Sequence, residues 1–216
     1  MTARPYSLNL VALMLGVLMT VAYAGQHVPD RAEDVEPLAV GAAAPDFDAR
    51  TPAGERFRFD TSGLERPALL IFYRGGWCPY CNAQLQGLRH VVPALTDAGY
   101  DVLFLSADKP ELLVTSLEEP LPDYTLLSDA SMEAARRFGV AFRLDDETAG
   151  KYRGYGIDLA EASGFDHQQL PVPAVFLVGR DGRIEFAHTD PDYTVRLEPD
   201  AVLAAAGVPV PQTTSR

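Results

Sequence analysis

One short run constrains this chain more than any other: Phe72-Tyr73-Arg74-Gly75-Gly76-Trp77-Cys78-Pro79-Tyr80-Cys81. It holds the only two cysteines, three positions apart, directly after the apolar stretch 68–72. A strand that ends in a glycine turn and opens a helix with C-x-x-C is a redox arrangement. Cys78 falls at the helix N-terminus, where unpaired backbone N–H groups and the helix dipole favour the thiolate, the nucleophilic form. Cys81, one turn later, lies on the same helix face and can close a disulfide with it. A purely structural disulfide here would close a loop of a few residues and remove little unfolded-state entropy. A zinc site would need two more ligands, and His27, His90, His167 and His188 lack the spacing to supply them. Haem attachment is excluded because Asn82 stands where that motif needs histidine.

The first residues do not belong to the folded domain. Residues 1–5 carry Arg4, residues 8–24 are almost purely apolar, and Ala22-Tyr23-Ala24 precedes Gly25. That is the pattern of a secretory signal peptide over residues 1–24, with an uncleaved anchor as the alternative. No cysteine follows the cleavage site to carry a lipid anchor. Cleavage implies export, to a bacterial periplasm, and no stable membrane association of the mature chain. The net charge is −12, from 18 basic and 30 acidic residues. Losing Arg4 with the signal gives −12 − 1 = −13, which argues against nucleic acid or anionic lipid as partners. An exported protein whose only cysteines sit in C-x-x-C does not use disulfides as a framework.

Strands alternating with helices argue for an α/β fold with parallel central strands. Residues 25–39, with Pro29 and Pro37 among acidic residues, read as a mobile linker, and 40–207 as one domain. Residues 41–59 read as a hairpin turning at Pro52-Ala53-Gly54-Glu55. Residues 68–73 read as a strand buried on both faces, followed by one helix from 78 to about 98 with Leu85, Leu88, Val92 and Leu95 on its core face. Strands at 102–105 and 124–127 and helices at 109–117 and 131–138 follow, the last capped by Ser131 or Asp129 and stopped by Gly139. Residues 142–170 read as a lid-like insertion with one helix. A hairpin joins 174–178 to 184–187 through Arg180-Asp181-Gly182-Arg183. A final helix follows Pro199, and 208–216 reads as a disordered tail.

Several stretches together resemble one family. They are Val40-Gly41, Ala44-Pro45-Asp46-Phe47, the 73–81 run, Pro171-Val172-Pro173-Ala174-Val175-Phe176-Leu177-Val178 ahead of Asp181-Gly182, and 192–199. From about residue 38 to 206 they resemble the alkyl hydroperoxide reductase/thiol-specific antioxidant (AhpC/TSA) family, and within it a peroxiredoxin-like branch with a thioredoxin-type C-x-x-C. The resemblance implies a thioredoxin fold with an N-terminal hairpin and an insertion before the last two strands. It implies that Cys78 attacks peroxide and that Cys81 resolves the product as a Cys78–Cys81 redox disulfide. A thioredoxin-like or other dithiol would then restore the thiols.

Two positions depart from that family. Gly75 stands where the family usually has Thr or Ser, and Pro173 stands where it has an arginine on the late strand. Pro173 instead matches the cis-proline that thioredoxins set against their C-x-x-C, which predicts a cis Val172–Pro173 bond. Arg74 and Arg196 are the candidates to replace the missing arginine. Trp77 is expected beside the cysteines, Tyr80 between them tunes the potential, and Pro79 suits the first helical turn. Tyr152, Tyr155 and His167 are candidates to line an entrance. The favoured activity is an exported thiol peroxidase acting on hydrogen peroxide or organic hydroperoxides. The alternative is a thiol–disulfide oxidoreductase acting on protein cysteines, with a non-catalytic binding module third. No metal, flavin or nucleotide cofactor is implied by either activity.

Overall fold

A computed structural model describes residues 28–114 and 124–210. The six apolar residues of strand β3 (Ala68–Tyr73) are all buried, which is why the sequence there shows no alternation. β3 pairs in parallel with β4 (Asp101–Ser106) and antiparallel with β8 (Ala174–Val178). β4 pairs in parallel with β5 (Thr125–Ser128). The N-terminal hairpin β1 (Phe47–Arg50) and β2 (Arg56–Phe59) extends the β5 edge, and β9 (Ile184–Thr189) closes the other beside β8. Among the described residues the large sheet therefore runs β2-β1-β5-β4-β3-β8-β9, a thioredoxin-type α/β sheet with the expected N-terminal hairpin.

The two faces of the sheet carry separate cores. Leu69, Ile71 and Tyr73 face a layer that includes Leu85, Leu88, Val92, Leu95, Val202 and Leu203 from helices α1 (Pro79–Leu88), α2 (Val92–Asp97) and, at the C-terminus, α7 (Pro199–Ala205). Leu70 and Phe72 face the opposite layer, where Phe138 packs at a tilt against Phe72 and Phe176 at centroid distances of 5.3 and 5.1 Å. Each fully buried phenylalanine contributes about 1.5–3 kcal/mol by leaving water. These two layers fix the end of β3, and so the turn that follows it.

The structure corrects several expectations. The long helix over 78–98 is two helices, α1 and α2, separated by a tight turn in which His90 N–H and Val91 N–H reach back three residues. Pro93 causes the break: it has no N–H to give to Arg89, and its ring would clash with the Arg89 carbonyl in a continuous helix. The insertion holds two helices, α5 (Asp146–Gly154) and α6 (Leu159–Ser163), and two paired strands, β6 (Ala141–Arg143) and β7 (Gln169–Pro171). Acidic residues that read as loop are helix caps: Asp145 accepts from Thr148 N–H at 2.8 Å and Asp158 from Ala160 N–H at 2.9 Å.

The segment read as a linker lies against the domain over residues 28–39. Arg143 N–H donates to the Pro29 carbonyl at 2.8 Å and Leu38 N–H to the Phe138 carbonyl at 3.1 Å. Gly139 (φ +72°) does stop helix α4 (Glu133–Arg137), and any side chain there would overlap the Glu36 carbonyl. Asp129 serves α4 with both carboxylate oxygens, taking Ala134 and Ala135 N–H at 2.9 and 2.8 Å. The helix expected over 109–117 is described as α3 (Pro110–Leu113). The rest of that expected helix, the expected signal peptide over 1–24 and most of the expected tail lie outside the described residues.

Candidate active site

The chain leaves β3 at Tyr73, passes through Arg74, Gly75, Gly76 and Trp77, and enters α1 with Cys78 at its N-cap and Pro79 in its first turn. Gly75 has φ +144°, a conformation that side-chain-bearing residues rarely adopt, so a glycine is required here on backbone grounds alone. The turn is closed by Cys78 N–H on the Gly75 carbonyl at 3.1 Å and by Asn82 Nδ2 on the Gly76 carbonyl at 2.9 Å. Cys81 N–H and Asn82 N–H both donate to the Cys78 carbonyl at 3.1 Å, setting Cys81 one turn into the helix. Cys78 and Cys81 are free thiols here, 1% and 0% exposed.

The two sulfurs are driven apart in acidity by one another. The Cys81 thiol hydrogen-bonds the Cys78 sulfur, and with the Arg74 and Arg196 charges this lowers Cys78 to about 6 against the opposing effect of burial. The same bond, burial and the neighbouring Cys78 charge push Cys81 far up, so it keeps its proton. One sulfur is a ready thiolate, and the other is a proton-bearing neighbour one helical turn away.

The two candidate arginines both reach the site. Arg196, in the segment between β9 and α7, donates through Nη2 to Cys81 Sγ at 3.4 Å and through Nη1 to the carbonyls of Val195, at 2.7 Å, and Tyr193. Arg74 is 3% exposed, and among the described residues no carboxylate pairs with it. Its guanidinium lies over the rings of Tyr193, Trp77 and Tyr152 at 4.3, 5.3 and 5.5 Å, and its Nη2 donates to the Tyr152 hydroxyl. These contacts hold the cation, each with about 0.5–2 kcal/mol, without neutralising it.

Of the remaining expectations, Trp77 lies beside Cys78 and packs edge-on to Tyr152 at 5.9 Å. Tyr80 is exposed and meets Tyr193 at 5.8 Å. Pro173 lines a cavity of about 320 Å³ together with Arg74, Tyr152 and Tyr193. The expectation of a cis Val172–Pro173 bond is corrected: among the described residues no peptide is cis. Val172 N–H donates to the Val140 carbonyl at 2.8 Å, and Val172 and Pro173 link β7 of the small sheet to β8 of the large one.

Among the insertion residues only Tyr152 joins the site. Tyr155 is 78% exposed beyond the end of α5, and His167 is occupied by the Ala130 carbonyl and the Gln169 N–H at 2.9 and 3.0 Å. Tyr193 and Asp108 carry no sequence signal of their own: Tyr193 lies within the stretch 192–199 that bears the family resemblance, and no motif adjoins Asp108.

The Cys78 thiolate fraction rises with pH, so alkylation of the reduced chain should increase through a midpoint near pH 6 and level off by neutrality. Arg196→Met removes a positive charge and a donor at the sulfurs and should move that midpoint upward. An inflection near that of an ordinary thiol in the unaltered chain would contradict this electrostatic picture.

Comparison with known proteins covers the same residues. The model of the AhpC/TSA family matches residues 40–187, more than half of the chain. Peroxiredoxin Bcp of Escherichia coli (strain K12) is 38% identical over 106 residues, which are 49% of this chain and 67% of that protein. Among solved structures, a peroxiredoxin-like protein from Aquifex aeolicus superposes with a TM-score of 0.61 at 18% identity, covering 80% of this chain and 88% of that one. Peroxidoxin BcpB from Mycobacterium tuberculosis superposes with a TM-score of 0.58 at 18% identity, covering 79% and 95%. Sequence and fold therefore agree that this chain belongs to the AhpC/TSA family.

Proposed function

We propose that the protein is a thiol peroxidase that reduces hydrogen peroxide or organic hydroperoxides at Cys78. The observation that carries this reading is Cys78, buried at an α-helix N-terminus with the Cys81 thiol one turn on and the Arg74 and Arg196 charges nearby, an arrangement that favours its thiolate. The Cys78 thiolate attacks the distal peroxide oxygen, so an S–O bond forms as the O–O bond breaks. The sulfur becomes a sulfenic acid, and the leaving alkoxide or hydroxide takes a proton and departs as alcohol or water. The Cys81 sulfur then displaces the sulfenic oxygen, which leaves as water with the Cys81 proton, and a Cys78–Cys81 disulfide forms. A thioredoxin-like or other dithiol returns the pair to thiols by exchange.

Family membership and the name of the Escherichia coli relative support the same reading. Exchange with protein cysteines is less well served, because both sulfurs are buried and Arg196 lies against one of them. Small peroxides fit such a site more readily than a polypeptide does.

One equivalent of hydrogen peroxide should add one oxygen to Cys78 in a Cys81→Ser variant, and should join the two cysteines in the unaltered chain. Mass spectrometry reads both outcomes. Recovery of unmodified thiols in both proteins would end the peroxidase reading.

The apolar run 8–24 and the Ala22-Tyr23-Ala24 site support export to a periplasm. Among the described residues no helix is long and apolar enough to cross a membrane. Expression in a bacterial host followed by N-terminal sequencing should give a periplasmic chain beginning at Gly25. A cytoplasmic chain that keeps residues 1–24 would refute export.

A further inference from the structure

Asp108 is 2% exposed and follows β4 at the end of the sheet where β3 runs into the Gly75–Trp77 turn. Its backbone is held on both sides: Asp108 N–H donates to Ser106 Oγ at 3.1 Å, and Ser128 Oγ donates to the Asp108 carbonyl at 2.6 Å. The carboxylate is thereby aimed at the turn, where its Oδ2 accepts the Gly76 N–H at 2.7 Å. The Trp77 indole nitrogen crowds the same spot. The second oxygen, Oδ1, is buried with no hydrogen-bond partner of good geometry among the described residues. Burial raises the carboxyl pKa, and the Gly76 N–H, with the Ser106 hydroxyl and the Trp77 indole behind it, opposes that rise.

A buried carboxylate with one orphan oxygen is an expensive way to fill space, so its value lies in what the other oxygen does. Two of the three hydrogen bonds that close the turn are local, from Cys78 N–H and Asn82 Nδ2. The third, to Asp108, ties the turn to a different strand. Gly75 makes that tie sterically feasible: a Cβ there would lie 2.6 and 2.9 Å from the two Asp108 oxygens, and closer still to Trp77 Nε1. The departure from Thr or Ser at this position is therefore matched by a carboxylate that reaches into the same space.

We propose that Asp108 is a positioning residue for Cys78: by taking the Gly76 N–H, it holds the glycine turn in the shape that seats Cys78 at the start of α1. The seat puts the sulfur under the influence of Cys81, Arg74 and Arg196, the groups that bear on its titration. Tyr73, buried at the end of β3, is the titratable neighbour that both Asp108 and Cys81 influence. This inference rests on Cys78 being the attacking thiol.

The test compares two substitutions in the full-length reduced protein. Asp108→Asn keeps an oxygen for Gly76 N–H, whereas Asp108→Ser withdraws it and leaves a small polar side chain. The readouts are the pH midpoint of thiolate absorbance and the rate with hydrogen peroxide, with circular dichroism to confirm folding. Asp108→Ser should raise the midpoint toward that of an ordinary thiol and slow peroxide reduction at neutral pH by about tenfold or more. Asp108→Asn should stay close to the unaltered chain in both. Should Asp108→Ser not fold, Asp108→Ala withdraws the same oxygen and must raise the midpoint in the same way. An unmoved midpoint in the folded Ser or Ala variant of Asp108 overturns the proposal, as does Asp108→Asn falling as far as Ser. If the unaltered chain titrates but does not reduce peroxide, the peroxidase reading fails alone and the midpoints still decide the role of Asp108.

Discussion

The site depends on keeping a thiolate inside the protein. Cys78 is 1% exposed, and an anion so far from water is costly unless other groups replace its hydration. Here the replacement is the Cys81 proton, the first turn of α1 and two guanidinium charges. Arg74 matters because of what it lacks. In a chain of net charge −12 with 30 acidic residues, it is buried among three aromatic rings and no carboxylate among the described residues takes up its charge. A carboxylate partner would have cancelled most of the field at the sulfur. The rings anchor the cation and leave that field intact.

The fold supplies these groups from segments far apart in the sequence. β3 delivers the turn and Cys78, α5 of the insertion delivers Tyr152, and the segment after β9 delivers Tyr193 and Arg196. Two separately packed cores hold the ends of β3 and β4 in register, Tyr73 opposite Ser106. The site sits just beyond those strand ends, where α/β sheets commonly carry their ligand sites.

What was legible in the sequence was local. An apolar hexamer, two glycines and C-x-x-C followed by proline specify strand, turn and helix start within a few residues, and the structure follows them to the N-cap. The hairpin strands on both sides of the domain were legible for the same reason. What was not legible is long-range or context-dependent. Pro93 reads as a first-turn residue or as a break depending on where the previous helix ends, and Asp145 and Asp158 read as loop until helices follow them. Tyr152 and Tyr193 became functional only when folding set both rings on Arg74. Asp108 carries no motif, and its role follows from the empty space at Gly75. Pro173 misled because a proline at that position matches one family's cis bond, while here the Val172–Pro173 peptide is trans and Val172 N–H is taken by the Val140 carbonyl.

Acidity alone does little for the chemistry. At neutral pH a thiol of pKa about 6 is roughly 30-fold richer in thiolate than a free cysteine, but nucleophilicity falls with pKa, which leaves a net gain of only about two- to threefold on the trend known for disulfide exchange. Any larger acceleration must come from the positioned arginines acting on the peroxide. Stopped-flow oxidation of the reduced chain by hydrogen peroxide, followed through Trp77, the only tryptophan, reads this directly. The account predicts a second-order rate constant at least about a hundredfold above that of free cysteine, a barrier lowered by about 2.7 kcal/mol. A rate within a few-fold of free cysteine would contradict it, leaving a thiolate that the site stabilises but does not aim at peroxide.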